Sequence, residues 1–600
     1  MDEHPGGDRG DEDRNYKIAS VANPAQKPPP ESLESIRTRT LVILSFWAIV
    51  IFLGLPVWLW TTSIHRARLP LQDMSDWARS KVCKPTFPLQ IAVQAPSMQE
   101  AEAAHLVRLT QHALDDLNEF SAHHLRLRLA QSPSPLTTDN ASMPTHKDLT
   151  EDETVDGQSI SAIQDESALV VRLQANVDAQ TATATLESHS GVLICMYSPN
   201  QVPSVSSSSS ALATFVATTL QELYTEEQAI IAYILSRSAS NIPQAISMSS
   251  PGIQSAPSTS RDFRSQAMRL LHPALASRLT KSMTRSLKYA PTYHITISLF
   301  TPTAIPSSWD IEGAISEYFT PLLDSISVVS NFTVDTQVQL FATLSPSVQS
   351  PEHDAERGVW TLREEDLSGF INAAEWPLTP STGAGPTLNF VLYVPDRMTS
   401  PLTVKGSQAT SWLIPQWGGV FILNPQDLDD GVSTLSKEAI QPALLTFSHQ
   451  LLSLLGAPET PPSLPLQLQT LTRIRVASLL LSASSSLGSL ANLTVALPSI
   501  AIPETVLRAV DTTLQHLQYT CNAMRKGKFR EALEHARTAE AEAERGFFEK
   551  SMVGQVYFPD EHKVAVYLPL LGPVGVPLVM SALKEVRRFW SAWKSRRPAK

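Results

Sequence analysis

The chain has 600 residues, too many for one simple core, and an apolar fraction of 42%, enough to fill several. Its net charge of -11 is spread along the sequence, which excludes the concentrated basic surface of a nucleic-acid-binding domain. Three cysteines, Cys83, Cys195 and Cys521, are too few and too scattered for a disulfide scaffold or a zinc site, so one disulfide at most can form.

Residues 1–36 are acidic, proline-rich and poor in apolar residues, which predicts a disordered tail. The run LVILSFWAIVIFLGLPVWLW (41–60) then holds 20 residues without a charge. At about 1.5 Å per residue it spans a hydrocarbon core of about 30 Å. Trp47, Trp58 and Trp60 suit anchoring at the interface. The run is too long for a cleaved signal peptide and TTSIHRARLP offers no small-residue cleavage site, which predicts an uncleaved anchor.

Strand and helix patterns interleave after the anchor. FPLQIAVQ (87–94) predicts a strand, and MQEAEAAHLVRLTQHALDDLNEF (98–120) an amphipathic helix with Ala104, Val107, Leu114 and Leu117 on its apolar stripe. HLRLRLA (124–130), ALVVRL (168–173) and GVLICMY (191–197) predict strands, and 211–235 predicts the next helix. A second set follows: strands at 293–300, 332–344, 388–394 and 418–423, with helices at 309–326 and 433–456. Segments 131–165, 199–210 and 238–262 are rich in Ser and Pro and are expected to be surface loops or insertions.

Beyond 464 the pattern is helical and leads into VAVYLPLLGPVGVPLVMSAL (564–583), again 20 residues without a charge. Pro569, Pro573 and Pro577 recur every fourth residue, so they share one helix face. Each interior proline would cost a soluble helix about 3 kcal/mol. A transmembrane helix tolerates them where neighbours satisfy the freed carbonyls of Ala565, Pro569 and Pro573, which points to a kinked helix packed in a membrane bundle. Lys584, Arg587, Arg588, Lys594, Arg596, Arg597 and Lys600 follow this run and place the C-terminus in the cytosol. With two spans the N-terminus is cytosolic as well, and 61–563 lies in the lumen. The sequons at Asn140, Asn331 and Asn492 all fall in that region and are candidate N-glycosylation sites.

The fold class expected is therefore a mixed α/β (α+β) lumenal domain with a helical C-terminal part, flanked by two transmembrane helices. Its organisation is a tail (1–36), a span (41–60), a first α/β unit with insertions (61–262), a second α/β unit (263–460), a helical part (461–563), a span (564–583) and a basic tail (584–600).

Catalytic motifs are missing from the sequence. It holds no nucleophile elbow, P-loop, dinucleotide fingerprint, H-E-x-x-H or C-x-x-C. His105 and His112 lie seven apart and His123 and His124 are adjacent, neither of which is a zinc spacing. Cys195 sits inside an apolar strand, where a desolvated thiol is a poor nucleophile. Asp310 and Glu312 could form an acid/base pair, but they also stand where a helix start favours acidic residues. No metal or cofactor is expected.

Several stretches, in order, resemble the PIG-S family. They are LGLPVWLWTTSIHRARLP (53–70), YHITISLF (293–300), WDIEGAI (309–315), SNFTVDTQVQLF (330–341), TLNFVLYVP (387–395), QWGGVFILN (416–424) and YFPDEHKVAVYLPLLGPVGVPLVMS (557–581). The N-terminal tail and the low-complexity insertions depart from the family. The resemblance implies a subunit of the endoplasmic-reticulum GPI transamidase, which joins a preassembled GPI anchor to the new C-terminus of a proprotein. It implies partners of the PIG-K, PIG-T, PIG-U and GAA types, indirect contact with GPI lipid and proprotein, a catalytic cysteine on PIG-K, and no catalytic residue in this chain. The competing expectations are a membrane-anchored lumenal hydrolase or transferase with an unrecognised site, and a stand-alone adaptor.

Overall fold

The structure is a computed structural model that describes residues 32–62, 66–130, 167–177, 180–240, 273–367, 369–370, 385–424, 433–498, 500–552 and 560–595. The chain divides into two compact units, a large one over Arg66–Val553 and a terminal one made of Met1–His65 with Gly554–Lys600.

In the terminal unit, α1 (Leu33–Ile49) passes through a π-helical turn, Val50–Gly54, into α2 (Leu55–Thr62). The stretch Glu34–Val57 is long and apolar enough to cross a membrane, and none of its most apolar window is buried.

The large unit begins with α3 (Leu71–Ala78), whose Met74 and Trp77 are buried. Next come β1 (Phe87–Gln94), α4 (Glu100–Leu117), β2 (His123–Leu129), β3 (Leu169–Ala175), β4 (Thr183–Glu187) and β5 (Val192–Tyr197). These strands form one sheet in the order β2-β1-β3-β5-β4, parallel except for β4. Alternation decides its buried face: Phe87, Leu89, Ile91 and Val93 of β1 enter the core, with Val171 and Cys195 from neighbouring strands.

The buried stripe of α4 is Ala103, Leu106, Thr110 and Leu114. Of the expected stripe Leu114 is buried, whereas Ala104 and Val107 stand one residue from the buried Ala103 and Leu106 and are half-buried, and Leu117 is 41% exposed. The helix turns the flank with Thr110 inward because that hydroxyl is satisfied within the helix by the Leu106 carbonyl, at 2.8 Å. The single helix expected over 211–235 is two, α5 (Ala211–Leu223) and α6 (Thr225–Ser240), which break at Tyr224.

A helix expected from no pattern, α7 (Pro273–Arg285), precedes the second set. That set runs β6 (Thr292–Phe300), β7 (Ser308–Trp309), α8 (Ile311–Ala314), a π-helical turn at Ile315–Phe319, α9 (Thr320–Ile326), β8 (Asn331–Gln339), β9 (Glu352–Asp354), β10 (Val359–Leu362), β11 (Thr387–Tyr393), β12 (Leu402–Val404), β13 (Ser411–Ile414), β14 (Gly418–Ile422), β15 (Thr434–Leu435) and α10 (Lys437–Leu454). The main sheet has the order β13-β14-β11-β6-β8, with only β13 antiparallel. One face packs Ile295, Ile297, Phe390 and Leu392 against α8, α9 and α10. The other packs Phe300, Val391, Tyr393 and Ile422 against the small sheet β12-β10-β9. The short β9, β10, β12 and β13 are too brief to announce themselves by alternation.

Among the described residues three long helices follow: α11 (Leu464–Ala496), α12 (Glu504–Arg525) and α13 (Phe529–Phe547). The 33-residue α11 passes for a membrane span by length and composition, yet half of its most apolar stretch is buried. It contributes Val476, Leu480 and Leu487 to the first sheet's core and Leu471 to the second's. A β-carbon on Gly488 would stand 2.5 Å from Cβ of Ala78, so glycine is what lets α3 lie against α11. The chain ends in α14 (Asp560–Ser595), helical through Pro569, Pro573 and Pro577.

Candidate functional site

The structure disperses the residues that carried candidate chemistry. His105 on α4 bonds through Nε2 to the Ser207 carbonyl at 2.9 Å, while His112 is exposed on the same helix. His123 is wholly buried at the start of β2, and His124 beside it is half-buried. Burial, then Arg126 and His123, lower the pKa of His124. Cys195 lies in the core of the first sheet, where burial pushes its thiol up to about 12. It is protonated at neutral pH and lacks nucleophilic thiolate. Asp310 stands at the N-cap position of α8 and Glu312 in its first turn, but Asp310 makes no side-chain capping bond. Both stand at a helix start, a position that favours acidic residues. Among the described residues no group of three His, Cys, Asp or Glu side chains is placed to hold a metal.

The structure does bring together an ionic hub that sequence patterns missed. Glu227 on α6 and Arg473 on α11 are 2% and 3% exposed and meet in a two-pronged pair: Nε donates to Oε1 at 2.5 Å and Nη2 to Oε2 at 2.6 Å. The Thr470 hydroxyl donates to Oε2 at 2.6 Å. His123 Nε2 stands 3.3 Å from Oε1, and Gln228 Nε2 stands 3.3 Å from the other ring nitrogen of His123. Burial alone would raise the Glu227 carboxyl, but Arg473 and the hydrogen bonds of His123 and Arg473 hold it well below the usual carboxylate range. The hub joins β2, α6 and α11. The available signal was a pair of charges bordering an apolar helical run, Glu226 and Glu227 in EEQAIIAYIL and Arg473 and Arg475 in TRIRVASLLL.

A polar seam ties the second sheet to the helices. Arg475 of α11 donates to the Leu455 carbonyl at 2.7 Å, Arg537 of α13 donates to the carbonyls of Val328 and Val329, and Lys288 pairs with Glu544 at 2.8 Å. Glu540 in this seam is 7% exposed and accepts from the Ser482 hydroxyl at 2.6 Å, while Oε2 finds no partner. Burial raises its pKa, against the Ser482 bond that lowers it.

The entry to the large unit is pinned twice. Arg66 pairs in a parallel bridge with Ile502, and its guanidinium donates to the carbonyls of Thr494 (2.6 Å) and Pro498 at the C-terminal end of α11. That placement suits the negative end of the helix dipole. Cys83 and Cys521 form a disulfide across 438 residues, fastening the segment after α3 to α12.

Of the three sequons, Asn140 lies outside the described residues. Asn331 is exposed at the start of β8, an edge strand. Asn492 is half-buried on α11, and its sequon hydroxyl, on the 1%-exposed Thr494, is spent on the Ala491 carbonyl at 2.9 Å. In the terminal unit, Arg39 at the start of α1 pairs with Glu585 near the end of α14 at 3.0 Å. The N-terminal end of one helix thus meets the C-terminal end of the other. Pro569, Pro573 and Pro577 are all exposed in the isolated chain.

The fold defines a class: an α/β protein with two largely parallel-sheet cores strung on one long helix, and a long apolar helical stretch, Glu34–Val57, near its N-terminus. Comparison with known proteins gives the family. The model for phosphatidylinositol-glycan biosynthesis class S protein, PIG-S, matches residues 45–592, and the chain belongs to that family. A Mus musculus relative named GPI-anchor transamidase component PIGS is 25% identical over 596 residues, covering 94% of this chain and 97% of its own. A Schizosaccharomyces pombe relative named GPI transamidase component PIG-S homolog is 31% identical over 313 residues, 50% of this chain and 55% of its own. The GPI transamidase component GPI17 of Saccharomyces cerevisiae is 28% identical over 310 residues, 48% of this chain and 57% of its own.

Proposed function

We propose that this chain is a non-catalytic scaffold subunit of the GPI transamidase of the endoplasmic reticulum membrane, the complex that attaches preassembled GPI anchors to proproteins. The observation that carries this reading is the family match over residues 45–592, which takes in the second apolar terminal segment, all but the first four residues of the first, and everything between them. The reacting cysteine belongs to a PIG-K-type subunit, and PIG-T, PIG-U and GAA-type subunits complete the assembly. The buried thiol of Cys195, pushed up to about 12, is a poor nucleophile and is read here as structural. Holding reactants in register is worth several kcal/mol of barrier.

In this reading 41–60 and 564–583 cross the bilayer and both termini are cytosolic. The Arg39–Glu585 pair is consistent with this arrangement, because the two residues flank the two runs read as spans. The large unit is lumenal, where a disulfide such as Cys83–Cys521 persists. Pro569, Pro573 and Pro577 form the face that meets partner helices. Of the two described sequons, Asn331 is the one with an accessible acceptor.

The test is affinity purification of the full chain in mild detergent, with identification of the co-eluting chains. Stoichiometric PIG-K, PIG-T, PIG-U and GAA-type subunits are expected. Elution alone, or hydrolase activity in the purified chain by itself, would overturn the proposal.

A further inference from the structure

The α12–α13 hairpin carries a histidine pair that none of the preceding functions uses. His516 lies on α12 and His535 on α13, with Nδ1 of one 3.3 Å from Nδ1 of the other and ring centroids 5.2 Å apart. Both rings are half-exposed. Two N–H groups aimed at each other would repel, so at least one lone pair faces the gap. The spacing is long for a nitrogen–nitrogen hydrogen bond, whose protein relatives centre near 2.9–3.0 Å. It matches the ~3.3 Å that separates two nitrogens bound at about 2.0–2.1 Å to a tetrahedral zinc ion.

The pair is also held in place. Leu517 and Thr520 beside His516, and Leu533 and Ala536 beside His535, are buried in the hairpin's packing. Tyr519 flanks both rings, its centroid 5.9 Å from His516 and 5.1 Å from His535. Cys521, five residues on, is fastened to Cys83. A site whose ligands stand on packed helices needs little rearrangement to bind.

We propose that His516 and His535 form a two-histidine seat for a zinc-class divalent cation, which bridges α12 and α13 and keeps water in its remaining positions. Imidazole nitrogen favours zinc, nickel and copper over calcium and magnesium, which prefer oxygen. With no third His, Cys, Asp or Glu placed alongside among the described residues, the site is open, unlike the closed four-ligand sites of zinc-dependent folds.

The experiment is titration of the untagged full chain in detergent, stripped with a chelator, with zinc chloride followed by calorimetry. Zinc binding at least tenfold weaker in H516Q and in H535Q, and unchanged in H112Q, is expected. Equal affinity in all four proteins, or no binding by the wild type, would overturn the proposal. A second measurement needs no variant: zinc should protect residues 516 and 535 of the wild type from diethylpyrocarbonate, read by mass spectrometry. Equal modification with and without zinc would sink it.

Discussion

The Glu227–Arg473 pair is where single atoms bear most on stability. Both ions are stripped of water, and their mutual attraction with the Thr470 and His123 contacts only offsets that cost. Breaking the pair should therefore be worse than never having it. E227Q is expected to cost about 3–5 kcal/mol, since Arg473 is left buried without its counter-charge, whereas the double variant E227L/R473M should recover most of the loss. Thermal melting of the three proteins measures this, and a double variant no better than E227Q would contradict it. Because the Glu227 carboxyl is held low in the folded state, its contribution is present above the unfolded carboxyl value of about 4.3 and is lost as pH falls towards the folded one. Glu540 works in the opposite sense. Its folded pKa is raised, so the folded state holds the proton more tightly and this contribution declines as pH rises through the folded value. The melting temperature of the wild type should accordingly gain on that of E540Q as pH falls from 7 to 4. Parallel pH profiles would show that burial does not perturb this carboxyl.

At the scale of elements, the disulfide and the sequons give the sharpest expectations. Cys83–Cys521 closes a loop of most of the large unit and restricts the unfolded chain far more than the folded one. C83S should lower stability by about 2–5 kcal/mol and abolish the mobility difference between reduced and non-reduced protein on gels. Asn331 stands free at the head of an edge strand, while Asn492 sits on a packed helix. N331Q should therefore remove one glycan step on electrophoresis and N492Q none, with the reverse result disproving the assignment. These elements also show how legible the fold was. The long strands β1, β5, β6 and β11 stood out as apolar runs, and their observed bounds fall within two residues of the expected ones. Helix α4 is legible and Leu114 of its expected stripe is buried, but Ala103, Leu106 and Thr110 face the core in place of Ala104, Val107 and Leu117, because Thr110 can turn inward once its hydroxyl is satisfied locally. The minor strands and α7 are not legible, since two to five residues hold too little periodicity and α7 is dominated by polar residues.

The whole molecule depends on groups that join distant parts of the chain. Arg39 and Glu585 are 546 residues apart and pair at the shared end of α1 and α14. A charge reversal, R39E, would set two carboxylates against each other there. It should reduce recovery of the assembled complex several-fold, and R39E/E585R should restore it, as read by co-purification from membranes. Failure of the swap to restore assembly would show that this contact is incidental. The sequence by itself determined the two apolar terminal runs, the interleaved α/β class and the helical C-terminal part, because each is written in local hydrophobic period and length. It also determined the family, through stretches spread from residue 53 to 581. Tertiary structure alone decided that α11, apolar enough to pass for a membrane span, is instead the helix shared by two cores. It alone paired Cys83 with Cys521, Glu227 with Arg473 and His516 with His535. The physical reason is the same in each case. Local patterns report which face of an element avoids water, whereas pairings between distant residues depend on how those faces are stacked.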